Sequence, residues 1–546
     1  MRVANLITET LVRSGVTRIF SLSGNQIMPI YDALYDTGIP IVHVRHESAA
    51  VFMADAWAQM TGETGVALVT AGGGFTNALG AMYSVVCAES PVLLLSGDSP
   101  LQQDGTGAFQ ELDQVSMATA VSKCSVRLTN AERVAEDLAQ AIRLAHEGRP
   151  GPVHISVPFD LVNEDVPIAP SKFEQLVFAT PATDAERQNT LAVVEQVTRC
   201  LSASTRPVIV TGPACNGYRA RGKSALNQLS RLLPVIPMES PRGLRDPALG
   251  NIRSVFKAAD LVVLLGKATD FTMSFANTEH FSETVKFIVI DPDTAICDKA
   301  RATLGTRATL VEQGDTPAVL SELSRQVDFV EGAFAEWNTQ VADALKTRVD
   351  VPVQFDAAAG EPEGVHPAVL CQQVQEFLGG VDDPIAICDG GEFGQWSQAG
   401  IHAPMRIING TSGTIGAGPC YGIAAKLSQP DATVLVFVGD GTVGFHLAEF
   451  ETAVRLAVPV IVVIGHDARW NAEVEIQRRD YGEDRMIGCE LAPTRYDLAV
   501  AAMGGHGEYV ERSTDLQAAL KRAVASGKPA CISVRLNGQP APEAVV

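Results

Sequence analysis

TVLVFVGDGTVGFHLAEFETAVRLAVPVIVVIGHDARWN, residues 433–471, decides the fold. Thr433–Val438 is a run of β-branched and aliphatic residues, the pattern of a strand buried on both faces. Gly439-Asp440-Gly441 breaks it at the strand's carboxyl end. Leu447, Phe450 and Val454 then recur at helical spacing around Glu449. Pro459 opens a second buried run, Val460–Ile464, which ends in Gly465-His466-Asp467. The stretch reads as strand, turn, helix, strand: a right-handed βαβ unit. Asp440 and Asp467 then fall on neighbouring loops at the sheet edge where open α/β sheets bind ligands. Glycines there let backbone N–H groups face a phosphate at a helix N-terminus. A carboxylate beside a phosphate needs a cation between them, and Mg²⁺ is suited to one or two carboxylates plus phosphate oxygens.

The rest of the chain repeats this alternation. From residue 1 to about 165, strand-like runs lie at Thr17–Leu22, Pro40–Val44, Gly65–Thr70, Pro91–Ser96 and Pro152–Val157, with helical patterns such as Ser48–Met60 between them. A Pro-, Ala- and Thr-rich linker spans 166–184. A second α/β region, 185–345, has strands at Pro207–Thr211, Leu261–Leu265 and Lys286–Ile290. A second linker covers 346–364. The last region, 365–546, adds Pro384–Cys388, Met405–Ile408 and Ala530–Val534 to the two strands above. The expected fold class is therefore α/β, with three doubly wound parallel-sheet domains. There is no short-period repeat and no low-complexity tract.

Composition agrees and excludes some functions. The chain has 546 residues, 46% of them apolar and 19% charged, as expected of a globular protein with a large core. A net charge of −21 argues against a nucleic-acid partner. No apolar run reaches the length of a membrane span. The first residues, MRVANLITETLVRSGV, read as an amphipathic helix rather than a secretory signal. Ten scattered cysteines without a CxxC pair suggest reduced core thiols, and with them a cytoplasmic location.

A GDG turn followed 27 residues after its Asp by a second ligand position resembles the diphosphate- and Mg²⁺-binding motif of thiamine-diphosphate (ThDP) enzymes. Three α/β regions of similar size extend the resemblance along essentially the whole chain, to the acetohydroxyacid synthase, benzaldehyde lyase and 2-hydroxyacyl-CoA lyase branch. Val66–Ala78 (VALVTAGGGFTNA), Gly441–Phe450 and Trp470 fit that branch. The order implied is a pyrimidine-binding domain (1–165), a central domain (185–345) and a diphosphate-binding domain (365–546).

The resemblance also implies roles. Asp440, Asp467 and the backbone carbonyl of Arg469 would hold the metal. The family has Asn-Asn where this chain has His466-Asp467, so the ion here faces one more negative charge. The alternative reading of Asp467 is a polar loop residue with no ligand role, and the spacing between two buried strands favours the ligand. Glu47 in Arg45-His46-Glu47 matches the carboxyl that bonds the cofactor's aminopyrimidine ring, and a buried strand-to-helix position suits a carboxyl that shares a proton. In GTSGTIGAG, Ile415 would wedge the cofactor into its bent form and Gly413 would lend its carbonyl. Gly391, Glu392, Gly441 and Thr442 would meet the diphosphate. Gln110 of GAFQELDQ matches a substrate-facing Gln, and Glu473 an acid near the substrate carboxylate. Ser23 and Gln26 stand where benzaldehyde lyase has two histidines. The central domain has only a poor glycine-rich match, Gly212–Gly222, so a flavoprotein-like domain with a structural role is expected rather than FAD or ADP binding.

The activity implied is that of a ThDP- and Mg²⁺-dependent lyase, decarboxylase or carboligase (a transferase in its ligating form), acting on a 2-oxo acid or 2-hydroxy ketone. An acyl-CoA version resembles 2-hydroxyacyl-CoA lyases and oxalyl-CoA decarboxylases, and the brief tail after Val534 counts against it. A third reading is a degenerate homologue serving as a subunit or scaffold. The family's architecture further implies a homodimer or homotetramer, with Glu47 and Asp440 acting on one cofactor from different subunits.

Overall fold

The computed structural model describes residues 1–167, 171–180, 182–216, 223–326, 332–346, 364–409 and 412–542. Its strands form three sheets, and every strand pairing within them is parallel. The first holds β1 (Ile19–Ser21), β2 (Ile41–His43), β3 (Gly65–Val69), β4 (Val92–Asp98), β5 (Cys124–Arg127) and β6 (Val153–Pro158), in the order β2-β1-β3-β4-β6-β5. The central sheet holds β7 (Pro207–Thr211), β8 (Val235–Pro237), β9 (Leu261–Leu265), β10 (Lys286–Asp291) and β11 (Ala308–Gln313), ordered β11-β10-β9-β7-β8. The third holds β12 (Pro384–Cys388), β13 (Met405–Ile408), β14 (Thr433–Gly439), β15 (Ile461–His466), β16 (His506–Val510) and β17 (Ala530–Arg535), ordered β13-β12-β14-β15-β17-β16. The first and third sheets thus share one topology.

Both of those sheets are covered on two faces, as parallel sheets require. Along β14, Val434, Val436 and Val438 enter one core while Leu435 and Phe437 enter another. Along β3, Ala67 and Val69 face one core, and Val66 and Leu68 the other. One of these cores is shared: residues of the first and third sheets meet across the helices Glu47–Thr61 and Gly418–Ser428. The Tyr421 hydroxyl donates to Asp55 Oδ2 (2.6 Å) inside this seam, where burial raises the Asp55 carboxyl's pKa.

The βαβ unit forms as expected, with Leu435 beside Ile461 and Gly439 beside Gly465 in register. Its crossover is not one helix, however. It splits into a short turn of helix, Asp440–Val443, and Glu449–Arg455. Four strands carry no clear sequence pattern: β5, β8, β11 and β16. All four are edge strands. An edge strand faces solvent along one side, and β5 (CSVR) and β16 (HGEYV) are mostly half-buried. They lack the unbroken apolar run of a central strand for that reason.

The first linker is partly packed: Val166 and Phe173 belong to a core of the first sheet. Residues 347–363 of the second linker, and 217–222 of the Gly212–Gly222 stretch, lie outside the described residues. All ten cysteines are free thiols. No helix among the described residues is long and apolar enough to cross a membrane.

Candidate functional site

The carboxyl ends of β12, β14 and β15 meet at one edge of the third sheet. After β12 the chain runs through Asp389 and Gly390 into the helix Gly391–Gly400. Asp389 is buried and accepts backbone N–H bonds from Gly390 (2.7 Å), Gly416 (3.1 Å) and Gly418 (2.8 Å). Burial lifts its pKa to about 6. This carboxyl pins the turn that bears Ile415 against the β12 loop, and no sequence pattern singles it out. A Cβ at Gly390 would lie 2.6 Å from Ile415 Cγ2, and one at Gly391 would lie 3.3 Å from Thr442 Oγ1. A Cβ at Gly441 would lie 2.8 Å from the Trp470 ring. Gly391 (φ 78°) and Gly413 (φ 68°) take left-handed backbone that side chains disfavour. The result is a floor of bare backbone under Ile415 and Thr442. The Glu392 side chain faces away from phosphate chemistry: it accepts the backbone N–H of Ala541 in the C-terminal tail. Only the backbone at Glu392 is left for an anion.

Asp440 follows β14 and is buried. Its Oδ1 accepts the Gly441 N–H (2.9 Å), while its Oδ2 has no hydrogen-bond partner. Burial lifts the Asp440 pKa to about 6. Burial, with the nearby charge of Asp440 next, lifts Asp467 to about 7. A buried and a half-buried carboxyl that each resist ionisation because of desolvation, the buried one with an orphaned oxygen, fit a divalent cation. Ala468 turns the chain with φ 56°, and Arg469 pairs as an isolated bridge with Glu490. The residues present therefore suit a cation and a diphosphate over the glycine floor.

The first sheet presents different chemistry at its edge. Glu47 begins the helix Glu47–Thr61 and is only 8% exposed. Asn77 Nδ2 donates to Glu47 Oε2 (3.0 Å). Oε1 lies over Gly74, where a Cβ would sit 3.3 Å away. None of these contacts reaches the Asp440 and Asp467 loops. Gln110 takes φ 61° and accepts from Gln26 Nε2 (2.7 Å), whose own carbonyl accepts from Thr70 Oγ1 (2.7 Å). The structure thus joins Gln110 to Gln26, two positions read separately in the sequence. Ser23 Oγ lies 3.2 Å from His43 Nε2. Glu473 is exposed in the first turn of the helix Asn471–Tyr481, and its charge adds to the burial that raises Glu392.

The two regions are tied within one chain. The Ser48 hydroxyl meets His446 Nε2 (2.9 Å), and His446 Nδ1 meets the Gly416 carbonyl oxygen (2.7 Å). Burial pushes His446 down to about 4, so the ring is neutral, donating to the carbonyl and accepting from Ser48. Glu449 Oε1 accepts the Arg45 N–H (2.9 Å). The helix bearing Glu47 and the turn bearing Ile415 are therefore set by a shared seam.

A cavity of about 150 Å³ opens at the carboxyl ends of the central strands, lined in part by Asn216, Gly266 and Thr316. Arg149 reaches in from the first sheet's region. It binds Asp291 (Nη2 to Oδ2, 2.5 Å), the Gly266 carbonyl (3.1 Å) and Glu89. Two carboxylates neutralise the guanidinium at this crevice.

A family model described as the thiamine pyrophosphate enzyme N-terminal TPP binding domain matches residues 1–117. A second, for the C-terminal TPP binding domain, matches residues 389–534. The chain is 31% identical over 550 residues to a probable acetolactate synthase of Mycobacterium bovis, covering 98% of this chain and 95% of that one. It is 30% identical to 2-hydroxyacyl-CoA lyase 2 of Danio rerio (94% and 87% covered) and 29% identical to that of Homo sapiens (94% and 85%).

Proposed function

Because this chain belongs to the thiamine pyrophosphate enzyme family and is a ThDP-dependent enzyme of carbon–carbon bond chemistry, we propose that it cleaves or joins a 2-oxo acid or 2-hydroxy ketone. In this reading Asp440, Asp467 and the Arg469 carbonyl hold a divalent cation, Mg²⁺ in the family's usual chemistry. The backbone at Gly391, Glu392 and Gly441, with Thr442, holds the diphosphate. Ile415 and the Gly413 carbonyl hold the ring end. When bound, the cofactor supplies an electron sink at the reacting carbon.

The protein's own groups then have separate tasks. Glu47 shares a proton with the aminopyrimidine ring. Asn77 occupies its Oε2, which leaves Oε1, beside the bare backbone of Gly74, as the oxygen that carries the proton. Gln110, held by Gln26, faces the substrate. Glu473 guards the substrate carboxylate at the rim. The central sheet is structural in this reading, and the Arg149 guanidinium at its crevice is already paired with Glu89 and Asp291. Phe109 (76% exposed) and Phe445 (57%) leave apolar surface at loop tips near Gln110 and the GDG turn, which supports burial against a second copy. The assembly is then a homodimer or homotetramer, with Glu47 and Asp440 supplied by different subunits. A cytoplasmic location fits the ten free cysteines.

The observation that carries this reading is the orphaned Oδ2 of buried Asp440 beside a glycine floor. Thermal melting with ThDP and Mg²⁺ tests it, because a ligand bound only by the folded state raises the midpoint. No shift at millimolar cofactor would sink it. Product analysis across 2-oxo acids, acyloins and 2-hydroxyacyl-CoA esters then fixes the substrate. The similarity to 2-hydroxyacyl-CoA lyase 2 keeps the ester class as the second reading.

A further inference from the structure

Gly439 pairs with Gly465, so the next residues, Asp440 and His466, stand opposite one another as β14 and β15 end. His466 is 4% exposed and Asp440 2%. The His466 ring is fixed from behind. Its Nδ1 lies 3.3 Å from Ser533 Oγ, and the Tyr496 ring packs edge-on with centroids 5.6 Å apart. Tyr496 also donates its hydroxyl to the Asp440 carbonyl (3.0 Å), which closes that side of the loop. What remains of the imidazole is Nε2. It points at Asp440 Oδ2 across 3.8 Å, and neither atom has a hydrogen-bond partner.

That distance is too long for a hydrogen bond. It suits one ion shared by both atoms, since two bonds of about 2.1 Å span up to about 4.2 Å. We propose that His466 Nε2 is a direct nitrogen ligand of the cation held by Asp440, and that the site takes Mn²⁺ or Co²⁺ in preference to Mg²⁺. The chemistry follows from the donor set. Mg²⁺ is hard and prefers oxygen, whereas the first-row ions accept imidazole nitrogen more readily, Mn²⁺ the least of them and Co²⁺ more strongly. A ring locked by Ser533 and Tyr496 presents its lone pair without further ordering, as oriented metal-ligating histidines do. The inference rests on the cation-and-diphosphate reading above and adds a ligand to it.

The test uses the full chain with ThDP and Mn²⁺, followed by electron spin-echo envelope modulation at the bound ion. A directly coordinated ¹⁴N is expected, and labelling the wild-type chain with ¹⁵N-histidine must change its modulation pattern. In His466→Asn the coupling is expected to vanish. The Mg²⁺ concentration that displaces half the Mn²⁺ is expected to fall at least tenfold. The labelled wild type decides the question even if that variant does not fold. Bound Mn²⁺ without histidine nitrogen overturns the proposal and leaves the cofactor reading standing. Failure of both Mn²⁺ and Mg²⁺ to bind with ThDP overturns both.

Discussion

The first and third sheets run in the same strand order, β2-β1-β3-β4-β6-β5 and β13-β12-β14-β15-β17-β16, yet their loop edges carry opposite chemistry. The third sheet ends its strands in the buried carboxyls Asp389 and Asp440, the half-buried Asp467 and the bare glycine Gly391. The first presents neutral amides, Gln26 and Gln110, beside two buried carboxyls: Asp98 at the end of β4, already bonded by Arg127 and Ser156, and Glu47, which opens the helix after β2. Topology fixes where a site can form, at the carboxyl ends of the strands, and the few residues at those ends decide what it does. In the proposed reading one edge anchors a charged ligand and the other acts on it.

The largest effect should come from removing the anchor. Asp440→Ala is expected to abolish the cofactor-dependent rise in melting temperature, because the cation loses its buried carboxylate. If the rise survives, the third sheet is not the anchoring side. Glu47→Gln should do the reverse. Turnover is expected to fall about 10²-fold or more, in the range of lost proton transfer, while the melting shift remains. A Glu47→Gln protein with full turnover would break the division of labour.

The two regions should also answer acid in opposite directions. His154, fully buried between Ser96 and Ser125, is pushed by burial down to about 3. Its folded pKa lies below the unfolded value near 6.5, so the stability it contributes is present above that value and is lost as pH falls through the folded one. At pH 5 the loss is about 2 kcal/mol. Asp389, raised to about 6, has the opposite sign. Its folded pKa exceeds the unfolded value of about 3.9, so its contribution is present below that value and is lost as pH rises through about 6. Hydrogen exchange resolved by peptide, corrected for intrinsic rates, should show β4 and β6 losing protection from pH 7 to 5. Over the same interval β12, which Asp389 follows, should hold or gain it. Parallel losses in both would contradict this contrast. The smallest effect is expected from Gln110→Ala: KM rising several-fold with an unchanged melting shift, measured on whichever substrate the product screen identifies. An equal loss of kcat would move Gln110 from binding substrate to stabilising the transition state.

How much of this was legible depended on burial. Central strands such as Leu261–Leu265 and Pro384–Cys388 match their sequence boundaries because both faces are apolar. The edge strands β5, β8, β11 and β16 do not announce themselves, because half of each needs no apolar residue. At the site, Asp440 and Glu47 stand out because a charged residue at the end of a buried run is conspicuous. Asp389 also ends such a run, after Pro384–Cys388, but nothing local tells that it pins the Ile415 turn, and Asn77, which holds Glu47, lies inside a helix. Their partners, Gly416, Gly418 and Glu47, lie 27, 29 and 30 residues away.

The linear order of residues determined three parallel α/β layers, the GDG turn between two buried strands, and the family. Each of these follows from local periodicity and the residue types at strand ends. Tertiary structure alone decided that two sheets share one topology and a common core, that Gln26 holds Gln110, and that His466 Nε2 comes within 3.8 Å of Asp440. Those facts depend on register and on packing between segments far apart in sequence, and no local pattern encodes which distant side chain will fill a given space.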